Sequence, residues 1–261
     1  MPTSALKLTS LALAASTLAI GAARAETVAA LVGDDTIAMV DTAAKKVTAA
    51  KKVSGISGKI LGIDVRPADG MLYALLADGQ LVTIDKEWKA TPKSKLETML
   101  PAGVMATVDF NPVADRLRVI GSDGTNLRVN VDDGKVVKDG QLKFADSDAM
   151  KGKTPKVVAG SYTNSMKGAK ETALFDIDAS GAVLKQAPPN DGILNTIGQL
   201  GMKGDNVAFD IASDGNGGNS AWAMAGSTLY SVDLASGKST MAAKIAGVKG
   251  KVRDIAVMPK M

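Results

Sequence analysis

Cysteine and histidine are both absent from the 261 residues. Without cysteine there is no disulfide, no thiolate nucleophile and no thiolate metal ligand. Without histidine there is no Ser-His-Asp triad and no imidazole general base. Zinc, haem iron and copper ordinarily draw on one or both residues, so those centres are not expected. Aromatic side chains are scarce, at 3% of the chain with two Trp, three Tyr and four Phe. A core must therefore be built from Val, Ile, Leu, Ala and Met. The methionines are scattered along the chain, as gap fillers would be, and are not grouped as copper(I) ligands would be. Few exposed rings also leave little for stacking against sugars.

Long apolar runs are equally rare. The one such run, residues 8–20, follows Lys7 and precedes the small-x-small sequence Ala23-Arg24-Ala25. That is the layout of a secretory signal peptide, with cleavage expected after Ala25. A bilayer span needs about 20 apolar residues, so a membrane anchor is the weaker alternative. The expectation is a single domain over residues 26–261, periplasmic or secreted and not membrane-spanning. The formal charge of +4 falls to about +2 once Lys7 and Arg24 are removed, too little for a dedicated nucleic-acid binder.

What is present is a repeat. Five short apolar strands carry a polar residue at their centre, spaced by about 45 to 52 residues. They are Gly62-Ile63-Asp64-Val65, Thr107-Val108-Asp109-Phe110, Ala159-Gly160-Ser161-Tyr162, Ala208-Phe209-Asp210-Ile211 and Val252-Arg253-Asp254-Ile255. Alternating segments such as Leu81-Val82-Thr83-Ile84 lie between them. They are joined by Asp-Gly turns at Asp69, Asp78, Asp123, Asp133, Asp191 and Asp214, the dipeptide favoured in tight hairpins. Complete units span 59–100, 104–142, 156–200 and 205–246. A lone first strand remains at 252–259, and three strands without a first one remain at 27–53. Together the two ends complete a fifth unit. The expected fold is an all-β, five-bladed propeller of four-stranded blades, its ring closed by pairing of the N- and C-terminal strands. An open β-sandwich with coincidental spacing is the alternative. A second register runs with the first: Asp41, Asp85, Asn130 and Asp233 follow the third strand of four blades, placed to cap their own turns.

Three stretches carry a family resemblance. They are Gly62-Ile63-Asp64-Val65-Arg66-Pro67, Gly70-Met71-Leu72-Tyr73 and the run from Val108 through Asp109-Phe110-Asn111-Pro112-Val113-Ala114-Asp115-Arg116 to Val119. With Asn126-Leu127-Arg128, Ser161-Tyr162-Thr163-Asn164 and Pro188-Pro189-Asn190-Asp191-Gly192, the chain resembles the family catalogued as domain of unknown function 4394. The resemblance implies an exported, propeller-like domain and transfers no catalytic residue.

Four constellations could carry chemistry. Asp64, Asp109, Asp210 and Asp254, with Ser161 in the remaining blade, should hold equivalent places near the axis. They would either ring a hard cation such as calcium or accept backbone hydrogen bonds from their own and neighbouring blades. Asp214 and Asn216 alternate in a Gly-rich loop that could wrap calcium, although no Glu stands at the twelfth position, which is Ala225. Arg116 and Arg118 should share a strand face that Arg128 could join. They suit an anionic ligand, or else pair with Asp115, Asp123 or Asp132. The long connections 143–156 and 186–205, with Tyr162, Asn164, Asn190 and Asp191, offer polar groups on loops, where binding usually lives. The function expected is a non-catalytic binding or interaction protein for a protein, glycan or small molecule. The alternatives are a carboxylate-based or calcium-dependent hydrolase, with the four aspartates as acid and base, and a calcium-stabilised structural protein of the envelope. Calcium is the one cofactor the residues suggest.

Overall fold

The computed structural model describes residues 26–204 and 206–259; the expected signal peptide, residues 1–25, lies outside them. Among the described residues twenty-one strands form five sheets. Blade one runs β4 (Ile60–Val65), β5 (Leu72–Leu76), β6 (Gln80–Ile84) and β7 (Ala90–Lys95) from the axis outward. Blade two is β8 (Ala106–Asn111), β9 (Arg116–Gly121), β10 (Asn126–Val129) and β11 (Val136–Lys138). Blade three is β13 (Val157–Tyr162), β14 (Leu174–Asp178), β15 (Ala182–Gln186) and β16 (Ile193–Gln199), and blade four is β17 (Val207–Ser213), β18 (Asn219–Ala225), β19 (Thr228–Val232) and β20 (Ser239–Lys244). Blade five takes its innermost strand, β21 (Val252–Val257), from the C-terminus. Its other strands are β1 (Thr27–Val32), β2 (Thr36–Asp41) and β3 (Lys46–Lys52).

The innermost strands β4, β8, β13, β17 and β21 each touch the next and the last touches the first, so the ring is closed. The fold is the five-bladed propeller expected from the spacing. One element departs from it. In the connection after blade two, Lys143–Phe144 forms a two-residue strand, β12, paired parallel to β16 as a fifth strand of blade three. Phe144 is buried there beside Leu142 and Leu194. That anchors part of what reads in sequence as a free loop.

Each blade interface holds its own apolar cluster, because strand alternation turns every second side chain toward a neighbouring blade. Between blades one and two, Tyr73 meets Phe110 edge to face at 5.2 Å between ring centres, the geometry that aromatic quadrupoles favour. The outer strands β3, β7, β11 and β20 all carry lysines, which discourages edge-to-edge pairing with another chain. The turns behave as the sequence indicates. Asp41, Asp85, Asn130 and Asp233 each accept backbone N–H groups of their own turn. Among the described residues no helix is long and apolar enough to cross a membrane; the one helical turn is the 3-10 segment Pro189–Asp191.

Candidate functional site at the end of the axis

The repeated polar residues stitch the blades together. Asp64 accepts the N–H of Phe110 at 2.6 Å, and Asp109 accepts that of Tyr162 at 2.8 Å. Ser161 accepts that of Ile211 at 3.1 Å, and its hydroxyl donates to Asp210 at 2.8 Å. In each case the donor is the residue just past the next blade's ring position. Asp210 continues the series by accepting the N–H of Val257 at 2.5 Å. By the same rule the ring position of blade five is Ala256, two residues beyond Asp254. The expectation that Asp254 is the fourth equivalent member is therefore corrected. It sits lower on β21, where it accepts N–H groups from Ile255 and from Ile63 of blade one. Gly62 makes room for it: a Cβ there would lie 2.9 Å from the Asp254 carboxylate and 2.7 Å from Val108.

Asp64, Asp109 and Asp210 are all buried, and each has an oxygen within 4.8 Å of the others'. Their acidities respond to this. Burial, then the neighbouring Asp210, pushes Asp64 well above the usual carboxylate range. Burial, then Asp64, does the same for Asp109. Burial also raises Asp210, and it carries Asp254 to about 8. Asp254 therefore favours the carboxylic acid form near neutral pH, and burial moves Asp64, Asp109 and Asp210 in the same direction. They are the described residues best grouped to hold a metal ion, but an ion there would share oxygens that already serve backbone donors.

Around this cluster the propeller opens. On the face where the innermost strands end, a funnel of about 320 Å³ has Asp64 and Asp210 among its lining residues, with Ser213, Asp214 and Lys167. The Asp214 loop lies at this funnel, but its carboxylate accepts the N–H groups of Asn216 and Gly218. A second cavity, about 1,050 Å³, lies between blades five and one and includes Met39, Leu72, Trp88 and Met258 in its lining. Met39, Trp88 and Met258, each partly buried, pack against the apolar cluster of that interface.

The arginines stand elsewhere. Arg118 is 2% exposed, between blades two and three. It donates to Asp139, Asn126, the Tyr162 hydroxyl and Asn190, and Arg128 pairs with the same Asp139 through two hydrogen bonds. Arg118, Arg128, Tyr162 and Asn190 are thus brought together, but as a network satisfied from within. Arg116 does not join them and donates to the carbonyls of Ala114 and Asp115. The expected pairing with Asp115, Asp123 or Asp132 is not found: Asp123 accepts from Thr125, and Asp115 and Asp132 are claimed by Arg66, which clamps blade one to blade two. Asn164 pairs with Asn219 across blades three and four. Asp191 closes an exposed turn, its backbone carbonyl packed close to Gly140.

Two participants escaped sequence reading. Asp139 lies just past the end of β11, outside any strand and with no periodic signal. Asp176 did carry one, an Asp held between Phe175 and Ile177 in the strand Leu174–Asp178. It is fully buried, with neither carboxylate oxygen hydrogen-bonded. Burial lifts it to about 8, against the opposing pull of Arg118.

The model of a family described as Domain of unknown function (DUF4394) matches residues 36–256. No curated protein matches the chain. Among solved structures, a protein of unknown function from Bacteroides thetaiotaomicron VPI-5482 is similar at 16% identity and a TM-score of 0.55, covering 90% of this chain and 65% of its own. One of unknown function from Bacteroides caccae is 12% identical with a TM-score of 0.49, covering 91% of this chain and all of its own.

Proposed function

The chain belongs to the DUF4394 family, and we propose that it is an exported, non-catalytic binding protein that receives its ligand on the face where the innermost strands end. The supporting observation is the division of labour around the axis. The repeated carboxylates are occupied in holding the blades to one another, while a funnel and a cavity are recessed into that face. A rigid scaffold with loops gathered around a concavity is where ligands are commonly held.

The test is a thermal-shift screen of small molecules on the native protein and on two variants, Met71→Arg in the cavity and Ser213→Arg in the funnel. Ligands of this face raise the transition of the native protein and lose that effect in one variant or both. Hits that survive both substitutions, or a screen without hits, count against the reading. Export is checked by N-terminal sequencing of protein recovered outside the cytoplasm, expected to begin at Glu26.

A second reading, calcium stabilisation with or without hydrolase activity, is favoured by one observation: the approach of Asp64, Asp109 and Asp210 to within 4.8 Å. A saturable rise in melting temperature with calcium after EDTA treatment would support it. Turnover of hydrolase substrates would then separate enzyme from structural protein.

A further inference from the structure

One turn in the lining of the cavity between blades five and one is unlike its counterparts. Trp88 stands there in the left-handed region, with φ at 62°. In the corresponding turns of blades two, four and five that conformation falls to Gly134, Gly237 and Lys45. Glycine adopts it freely, whereas for a bulky side chain it is a strained exception. Hydrogen bonds from the neighbouring blade hold it in place. The carbonyl of Trp88 accepts the N–H of Ser54, just past β3 of blade five, at 2.9 Å, and Ala90 donates to the Ser54 carbonyl at 2.8 Å. Strain retained in this way concentrates at ligand sites. Here it secures an indole in the cavity lining.

The chemistry of the lining is apolar. Ile37, Leu72 and Ile84 belong to the apolar cluster of that interface, and Met39 and Met258 pack against it. At about 1,050 Å³ the cavity matches the upper end of small-molecule sites, roughly 300–1,000 Å³. Methionines supply polarizable contacts that adapt to varied shapes. The charged residues of the lining are committed elsewhere. The Asp85 carboxylate accepts the N–H groups of Glu87 and Lys89. The Lys86 side chain is 90% exposed and its amine lies 4.0 Å from Glu87. Glu26 is buried and already engaged. An aromatic face attracts positive charge, but the amine of Lys51 stands 5.8 Å from the centre of the Trp88 ring, so the chain itself supplies that cation.

Resting on the binding-face reading above, we propose that this cavity takes an uncharged, largely apolar small molecule, held against Trp88, Met39 and Met258. A charged ligand would leave water for a lining whose own charges are already committed, and that desolvation counts against it.

The experiment is fluorescence titration of the native protein with N-phenyl-1-naphthylamine, an uncharged probe that brightens in apolar surroundings. Displacement by octanol, octanoate and octyltrimethylammonium at neutral pH follows. The probe should bind saturably, and octanol should displace it at a concentration at least tenfold lower than either charged ligand. Trp88→Gly should weaken the probe at least tenfold; Gly134 and Gly237 hold the same place in their turns, so the backbone is kept while the ring is lost. Met39→Lys, on β2 of blade five, should weaken it likewise and stands in if the first variant does not fold. Octanol that fails to displace the probe, or a charged ligand that matches octanol, overturns the uncharged class and leaves the binding-face reading standing. Probe binding that is unchanged in these variants places the probe elsewhere and overturns the proposal. Failure of the probe to bind overturns it too, while the binding-face reading is decided separately by the screen with Met71→Arg and Ser213→Arg.

Discussion

Asp210 takes the backbone N–H of Val257 at 2.5 Å, while the N–H of Ile255 goes to Asp254 on its own strand. The fifth blade is therefore two residues out of step with the repeat it completes. Three carboxylates and one serine form the axial ring, and the fourth aspartate fastens blade five to blade one at a different height. The carboxylates act first as inter-blade acceptors, and their behaviour on mutation should show it.

Asp109→Ala leaves the amide of Tyr162 buried without its acceptor. A buried donor without a partner costs about 1–3 kcal/mol, and that loss is expected in urea unfolding. Asp109→Asn keeps a carbonyl oxygen for Tyr162, and because burial already favours the neutral acid, it should cost less than about 1 kcal/mol. An Asn variant as damaging as the Ala variant would contradict an acceptor role.

Stability should decline as pH rises from weakly acidic to weakly basic. Asp64, Asp109 and Asp210 are raised by burial, and Asp176 and Asp254 lie at about 8. In the unfolded chain these groups titrate near the ordinary value of about 3.9. Between about 4 and 8 the folded state thus binds more protons than the unfolded one. Unfolding free energy then falls with rising pH, the full contribution being present below about 4. Asp132 works in the opposite sense. Hydrogen bonds from Arg66 and then Lys93 hold it at about 2, so its contribution is present above about 4 and lost as pH falls toward 2. Melting temperature should peak near pH 4–5 and be lower at pH 8, and Asp254→Asn should flatten the alkaline side.

Asp176 should respond in the opposite way from Asp109. Neither of its oxygens is hydrogen-bonded, so Asp176→Asn removes no protein acceptor contact and abolishes the cost of ionising a buried acid. Little change is expected at pH 6, and a higher melting temperature than the native protein at pH 9. Gly160→Ala should be destabilising at every pH, because its Cβ would collide with the Asp176 carboxylate.

The arginine network gives a paired test. Arg118→Met strands Asp139 between blades two and three with only Arg128, and breaking such a buried pair costs about 3–5 kcal/mol. Arg116→Ala removes contacts to turn carbonyls alone and should stay within about 0.5 kcal/mol. Sulfate at low millimolar concentration should give no saturable rise in melting temperature, since the donors of Arg118 are taken by Asp139, Asn126, Tyr162 and Asn190.

The five-fold spacing, the hairpin turns and the completion of one blade from both chain ends could be read from residue order, because each is a local pattern repeated at a regular interval. Strand alternation also placed Asp64, Asp109, Ser161 and Asp210 together correctly, since all four lie on complete blades built by the same succession of hairpins. The closing blade is different. Its register depends on how β21 meets β1, strands joined through the whole chain, and no local pattern distinguishes Asp254 from Ala256 as the ring position. The partner of Arg118 was hidden for the same reason: Asp139, Tyr162 and Asn190 are 21, 44 and 72 residues away in sequence. Composition and periodicity determined the architecture, because a period-two pattern with regular turns, repeated at one spacing and completed from both chain ends, buries its apolar faces by stacking like units around an axis. The tertiary structure alone decided which carboxylates converge, which arginine is enclosed and where the surface stays open. Each of those depends on contact between blades, and no single stretch of the chain encodes it.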